Sequence, residues 1–423
     1  MNFVVPVLPR KHPETAKTSW LGGLLCLVTT GFMCIAPSVV TGQESDSGVN
    51  FDPSQSWAYN WIGNWRQRVI NRHNRIDRLL SWKLSDSTMA TFYGQLNVLY
   101  RDYDDGIDPF TAIVNNPNSP GRFGLNIESD LQNGVGLTID IETGLRRSDY
   151  DALLNRGNAA NSSSEWNRTL LRKAEIRLSV PKVGFLSFGQ GSMAGDGITG
   201  FDFSKTVNVA SSSVSDSASG SPTYFSNGAA TQSALQSFFP TFDASRRFRF
   251  RFDMASRGGL SWSASAGREV LVEGNSNTYA DVALRYETKW RRFGIKGGVA
   301  YAYNDASPDF FSGSVAGKDD NTGLNFAAAA GSNMQGARYG YLKIGMIRRV
   351  FRAGDTAFSF DHYAGHEPQA LASASSSTGI GITQHIDAFN VQVFATYRRY
   401  DITGAVNSIQ GSDVVAAGFR VTW

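Results

Sequence analysis

From Met89 to Trp423 apolar and polar residues alternate with a period of two, and few folds accept such a pattern over so long a chain. In Phe92–Arg101 the even positions are largely apolar and the odd ones mostly polar. Phe123, Leu125 and Ile127 interleave with Arg122, Asn126 and Glu128, and Leu137, Ile139 and Ile141 with Thr138, Asp140 and Glu142. Ala174, Ile176 and Leu178 do the same with Lys173, Glu175 and Arg177. The clearest segment sets Phe248, Phe250, Phe252 and Met254 against Arg247, Arg249, Arg251 and Asp253. Each such strand has one apolar and one polar face.

A soluble antiparallel sheet alternates too, with its apolar face turned inward. Three features point elsewhere. Strand after strand, the polar faces carry charges of both signs and the apolar faces carry large aromatics. Connections fall into short ones (131–134, 181–184, 257–259, 289–292) and long ones (105–121, 148–170, 192–244), as in outer-membrane barrels. The last residues, Val415, Ala417, Phe419, Val421 and Trp423, form an alternating apolar set closed by an aromatic. A first count gives fifteen strands. Bacterial single-chain barrels have an even number, so Phe311–Ala316 is assigned as a further short strand, with Lys318–Asn321 as its turn. Arg348–Asp355 is expected to be another short turn. The expected fold is therefore all-β, a 16-stranded antiparallel transmembrane barrel with an inserted loop.

Composition agrees with this. At 41% hydrophobic residues and a mean hydropathy of -0.24, the chain lacks the many apolar runs of a polytopic helical membrane protein. Aromatics at 12% and charged residues at 18% are the reverse of a disordered composition. Forty basic residues against 37 acidic ones leave no footprint for nucleic acid.

Residues 1–42 read as a secretory signal peptide cleaved near Gly42: Arg10, Lys11 and Lys17 precede an apolar run from Trp20 to Val40 that Gly22, Gly23, Gly31 and Pro37 interrupt. A single transmembrane helix is the competing reading. Both cysteines, Cys26 and Cys34, lie in this leader, so the mature chain has neither disulfides nor thiolate metal sites. Leu25 and Met33 precede them, which excludes a lipoprotein signal. Residues 43–56 read as a polar linker. From Trp57 to Lys83, apolar residues at three- and four-residue spacing (Trp61, Trp65, Val69, Ile76, Leu80) predict one amphipathic helix, with Arg66, Arg68, Arg72, Arg75 and Arg78 between them. It could oligomerise, touch the cell wall or anionic lipid, or pack on the rest of the protein.

Several stretches resemble the general bacterial porins, of Gram-negative α-proteobacterial type. They include Phe92–Val98 with Asp104-Asp105-Gly106, Gly121–Leu125, Leu186–Gln190 and Thr322–Phe326. Tyr341–Gly345, Gly354–Tyr363 and Ala417–Trp423 belong to the same set. The resemblance spans roughly residues 90–423. Two departures are the terminal Trp, where the family usually has Phe, and the Arg/Trp-rich preface. The resemblance implies a homotrimer in outer-membrane lipid, passage of ions and small hydrophilic solutes, and a third loop folded into the pore.

Selectivity of a lumen comes from its width and wall charges. The third connection is far longer than its neighbours, and loops of that length are usually functional. Its opening Ala194–Phe203 mixes Gly, Asp and aromatics, and the loop carries Asp196, Asp202, Asp216 and Asp243 against Lys205. Its middle, about 207–237, is a Ser/Ala/Gly/Thr tract that reads as flexible or surface-laid. Asp196 and Asp202 are the candidate acidic side of a constriction. Arg122, Lys173, Arg177, Arg247, Arg249 and Arg251 are the candidate basic wall; the plainer role for each is pairing with Glu128, Asp140, Glu142 or Glu175. Trp262, Tyr286, Trp290, Tyr397 and Trp423 are candidate interfacial aromatics. No catalytic motif stands out, and His362 and His366, four apart on a strand end, do not make a two-His metal face. No enzyme activity, metal or cofactor is expected. The alternative to a channel is a barrel of similar shape serving as a surface receptor or adhesin.

Overall fold

The computed structural model describes residues 80–107, 109–145, 166–369, 372–404 and 407–423. The expected leader, the linker and positions 57–79 of the expected helix lie outside the described residues. The last residues assigned to that helix are strand instead: β1 (Ser81–Lys83) pairs with β2 (Thr88–Asp104), Ser81 opposite Thr91. The lower edge of β2 would otherwise offer bare N–H and C=O groups, and β1 occupies it.

The wall continues through β3 (Phe110–Asn115), β4 (Arg122–Asp130), β5 (Gly136–Gly144), β6 (Leu171–Val180) and β7 (Gly184–Ser192). A small hairpin, β8 (Pro222–Tyr224) and β9 (Ala230–Ala234), belongs to the long third loop. The wall resumes with β10 (Arg246–Met254), β11 (Leu260–Arg268), β12 (Thr278–Trp290), β13 (Phe293–Asn304), β14 (Ser307–Asp319) and β15 (Leu324–Asn333). It ends with β16 (Arg338–Phe351), β17 (Gly354–Gln369), β18 (Ala372–Ile386), β19 (Val391–Gly404) and β20 (Ser412–Thr422). β3 and β4 pair in turn with the upper and lower parts of β2, so they share one wall position, broken at 116–121. Counted this way, the molecule is a closed sixteen-stranded antiparallel barrel.

Closure depends on the seam between the first and last strands. β20 runs along β2 from Asp413 opposite Asp104 to Thr422 opposite Gln95. Trp423 and Gly94 then exchange backbone hydrogen bonds of 3.1 and 3.2 Å. The Trp423 ring lies on the outer face at Gly94, where a Cβ would come within 2.6 Å of the ring and 2.8 Å of the Arg122 carbonyl oxygen. Immediately below, the Phe92 N–H donates to the Leu80 carbonyl at 2.8 Å, so β1 continues the seam where β20 stops.

Alternation sorts the side chains as expected. Phe188, Phe250, Val282, Ile344, Phe360, Ile380 and Val415 are all about half exposed on the outside, forming an apolar belt. Their neighbours Ser187, Arg249, Asp281, Lys343, Asp361 and Val414 are buried inside. The short strand expected at 311–316 is in fact β14, thirteen residues paired along its length with β13 and β15. Gly313 and Gly317 on its outer face hid it from an apolar-periodicity reading. The expected turn at 348–355 is mostly strand; only residues 352–353 separate β16 from β17. At the loop end of the barrel, 305–306 and 334–337 are as short as the turns, so the long-against-short contrast holds only for the first half.

Gly94→Val is expected to displace the Trp423 ring and lower the unfolding midpoint of the detergent-folded barrel, by about 1–3 kcal/mol for overpacking. Heat-dependent gel mobility reads this directly. A midpoint equal to that of the unaltered chain would remove Gly94 from the closure.

Candidate functional site

Residues 193–245 leave β7, fold into the barrel and return to β10. The entry is held by buried polar groups on the wall. Arg251 donates to the carbonyls of Ser192 (3.1 Å) and Met193 (2.7 Å) while its guanidinium forks onto Asp253 at 2.6 and 2.8 Å. Asp281 accepts from the Ala194 and Gly195 N–H groups at 3.1 and 2.7 Å and from the Ser265 hydroxyl. Arg285 donates to the Ala194 carbonyl and to Ser263 Oγ. The two feet of the loop meet in a parallel bridge between Asp196 and Ala244.

Beyond the entry, Ile198 and Phe201 seat on Ala283, Ala300, Ala316 and Ala327. This stretch of wall has to be made of small residues: a Cβ at Gly298 would come within 2.7 Å of Ile198. Ser314 Oγ donates to the Ile198 carbonyl at 2.6 Å and accepts from the Phe201 N–H at 3.2 Å. Asp202 pairs with the fully buried Lys343 at 2.5 Å, and the same ammonium donates to the Ala210 carbonyl at 2.6 Å. Lys205 pairs with Asp355 at 2.7 Å.

The small-residue tract is not surface-laid. Val209, Val214, Ala218, Leu235, Phe238 and Phe239 pack with Leu99, Tyr103, Tyr339, Tyr341, Tyr363, Phe394 and Tyr400 into one buried core inside the barrel. Phe239 lies 5.2 Å from the Tyr400 ring and 5.5 Å from Tyr363. Burying each large apolar side chain contributes about 1.5–3 kcal/mol, enough to keep the loop folded against β16–β20 and β2. The break between β3 and β4 reaches the same loop: Asn116 Nδ2 donates to the Asn208 carbonyl at 2.8 Å. Under the loop, Arg398 and Asp361 form a fully buried pair at 2.7 Å, with Gly379 leaving room for the guanidinium.

The candidate basic wall separates into two groups. Arg249 is 2% exposed, bound to Glu175 and to the Gly189 and Ser192 carbonyls at 3.0 Å; Arg251 anchors the loop entry as described. Both are structural struts. Arg122, Lys173, Arg177 and Arg247 keep part of their surface exposed. Arg122 lies 3.5 Å from Glu142, Lys173 lies 3.0 Å from Asp140, Arg177 lies 3.6 Å from Glu175, and Arg247 lies 3.5 Å from Glu269 and covers the Tyr279 ring. Arg172, Arg246 and Arg420, not singled out from the sequence, stand within electrostatic reach of Arg122. Arg172 reaches Glu142 at 2.5 Å because a bulge opposite Glu142 and Thr143 turns its side chain inward. Asp196 is within reach of Arg172 and Arg251, so the structure brings it to the basic side. Asp202 instead faces Lys343 and Lys296 on the loop's own wall. His362 meets Thr378 at 2.9 Å, and among the described residues no three metal-ligating side chains converge.

Two loop carboxyls are held above the ordinary aspartate value. Burial alone pushes Asp216 up to about 7. Burial first, then the nearby Asp196 carboxylate, pushes Asp243 up to about 8, opposed by hydrogen bonds from Thr199, Gly197 and Ile198. Arg285 and Tyr339 also face Asp243.

No protein-family model matches the sequence, and no curated protein matches it. Solved structures do. An anion-selective porin from Comamonas acidovorans superposes with a TM-score of 0.52 at 11% identity, covering 79% of this chain and 100% of the other. OprB of Pseudomonas putida, in its high-pH structure, gives 0.56 at 11% identity over 86% and 97%. Salmonella typhi OmpF in complex with daunomycin gives 0.50 at 14% identity over 80% and 98%. The fold is a porin fold. Likeness at these identities concerns the course of the backbone, and within this porin fold the long inserted connection is the one at 193–245.

Neutral carboxyls favour the packed loop, so a folded value above the ordinary carboxylate value has a definite sign. The stabilisation is complete below about pH 4, is lost as pH rises to about 8, and is flat beyond. Lys205 is the only Lys or Arg in the loop, so tryptic cleavage there reports loop opening. Cleavage is expected to accelerate between pH 5 and pH 8 beyond the protease's own pH dependence, judged on a control substrate. Asp216→Asn with Asp243→Asn should flatten the rise; an unchanged profile would show that these groups do not govern packing.

Proposed function

We propose that this chain is an outer-membrane porin, a water-filled channel through which ions and small hydrophilic solutes diffuse passively. One observation carries the reading: the inserted loop is packed on one side of a closed barrel, facing a network of charges on the other. The channel is the space between the β12–β20 side, covered by the loop, and the β4–β7 and β10 wall. Solutes crossing it keep polar partners, whereas apolar solutes lose hydration without compensation. Diffusion of this kind uses no cofactor and no energy source.

The constriction lies between Asp196 on the loop and Arg122, Lys173, Arg177 and Arg247 on the wall. Arg249 and Arg251 support it from behind, and Asp202 holds the loop through Lys343. The sequence resemblance to the general porins of α-proteobacterial type supports a homotrimer in outer-membrane lipid. The leader is removed near Gly42.

Purified full-length protein is expected to conduct in planar bilayers. A bilayer that stays closed at micromolar protein would overturn the channel and leave a surface receptor. Replacing Arg122 and Arg247 by Ser should raise the cation-to-anion permeability ratio, read as a shifted reversal potential in a salt gradient. An unshifted potential would place them away from the constriction. Arg249→Ser should instead act mainly on stability, costing up to about 3–5 kcal/mol, because it removes the buried guanidinium on Glu175 and leaves the more exposed Arg177 at 3.6 Å beside that carboxylate.

A further inference from the structure

Arg122, Arg172, Arg246 and Arg420 come from four different strands, yet Arg122 is within electrostatic reach of the other three and Arg172 of Arg246. Among the described residues, one wall carboxylate is ion-paired within the group. Glu142 lies 3.5 Å from Arg122 and 2.5 Å from Arg172. The neighbouring Asp140 is taken by Lys173 at 3.0 Å and by the Tyr93 hydroxyl at 2.9 Å. Arg246 and Arg420 make no ion pair among the described residues, and the Nε of each is buried without an acceptor. Among the described residues, the Arg420 guanidinium donates from Nη1 to Asn208 Oδ1 of the inserted loop at 3.3 Å.

Guanidinium groups crowded into a space of reduced dielectric repel one another, and an anion between them removes that cost. Their planar forks match the oxygens of a tetrahedral oxyanion two at a time, a geometry that chloride lacks. The excess of donors also exceeds what Glu142 can accept. We propose that these four arginines form a saturable lumenal site for an oxyanion of the phosphate class, either inorganic phosphate or a small phosphomonoester. The proposal rests on the porin reading and deepens it: solutes of this class dwell at these arginines as they cross, where others only diffuse past. Asn208 and the loop complete the far side of the site.

The test measures single-channel chloride current through the full-length protein while inorganic phosphate, and separately glycerol phosphate, is added on one side. Saturable reduction of the current is expected, and the more potent of the two identifies the solute the site prefers. Arg246→Gln with Arg420→Gln should raise the half-blocking concentration roughly tenfold or more, as loss of charge-assisted hydrogen bonds implies. The Lys double variant, which keeps charge and removes the forks, should fall between the two and guards against a misfolded Gln variant. A current that falls without saturating, or equal half-blocking concentrations in all three proteins, would overturn the site while leaving a conducting porin. A bilayer without chloride current would overturn the porin reading itself.

Discussion

Everything in this molecule depends on closing the sheet. An apolar belt surrounds the barrel, and a backbone N–H or C=O left open at that level costs several kcal/mol. The seam therefore has to be complete, and it is built from both ends of the described chain. β20 covers the upper part of β2, Trp423 reaches Gly94, and β1 covers the lower part. The aromatic at the end needs a smooth floor, which Gly94 provides. Closure explains why the region just before the barrel is strand where helical periodicity alone suggested a continuing helix.

The second constraint is that a closed barrel of this girth has an interior to fill. Here a loop fills much of it, and the wall is divided accordingly. Beneath the loop's first turn the inward positions are Gly, Ala and Ser, because anything larger would meet Ile198 or Phe201. Beneath its middle they are tyrosines and Phe394, which build a core with Phe238 and Phe239. Of the charges buried there, Arg398 pairs with Asp361 and Lys343 with Asp202, since a lone charge in such surroundings would be very costly, and Arg101 reaches the carbonyls of Ser217 and Ser219. On the opposite wall Arg122, Arg172, Lys173, Arg177 and Arg247 remain partly exposed, while Arg249 and Arg251 are buried against carboxylates and loop carbonyls.

Much of the fold was legible because alternation is a local signal: inward and outward faces were assigned correctly wherever the outer residues were large. It failed where they were small, as at Gly313 and Gly317 in β14. The site was less legible. Lumenal residues could be named from parity, but which partner each would meet depends on the register of neighbouring strands, and that is not written in either strand alone. Arg249 and Arg251 alternate with phenylalanines just as Arg247 does, yet they are struts because Glu175, Asp253 and the loop carbonyls stand beside them. Arg172 was missed because only a bulge turns it inward. The Ser/Ala/Gly/Thr tract was misread for a related reason: small residues suit a flexible coil and a loop pressed against a crowded wall equally well.

The loop and the wall also depend on each other electrostatically. Asp202 is neutralised by Lys343 on the side that the loop covers, so it contributes little field across the lumen. Asp196 does face the basic wall, but it stands beside Asp243, whose burial favours the protonated form. The acidic side is thus weaker than a count of loop aspartates suggests, while on the far wall Arg122 and Arg172 share Glu142. An acidic loop set against a basic wall would leave the sign of selectivity open. With Asp202 paired to Lys343, it is Asp196 that the loop sets toward the basic wall, and the two sides are not a balanced pair.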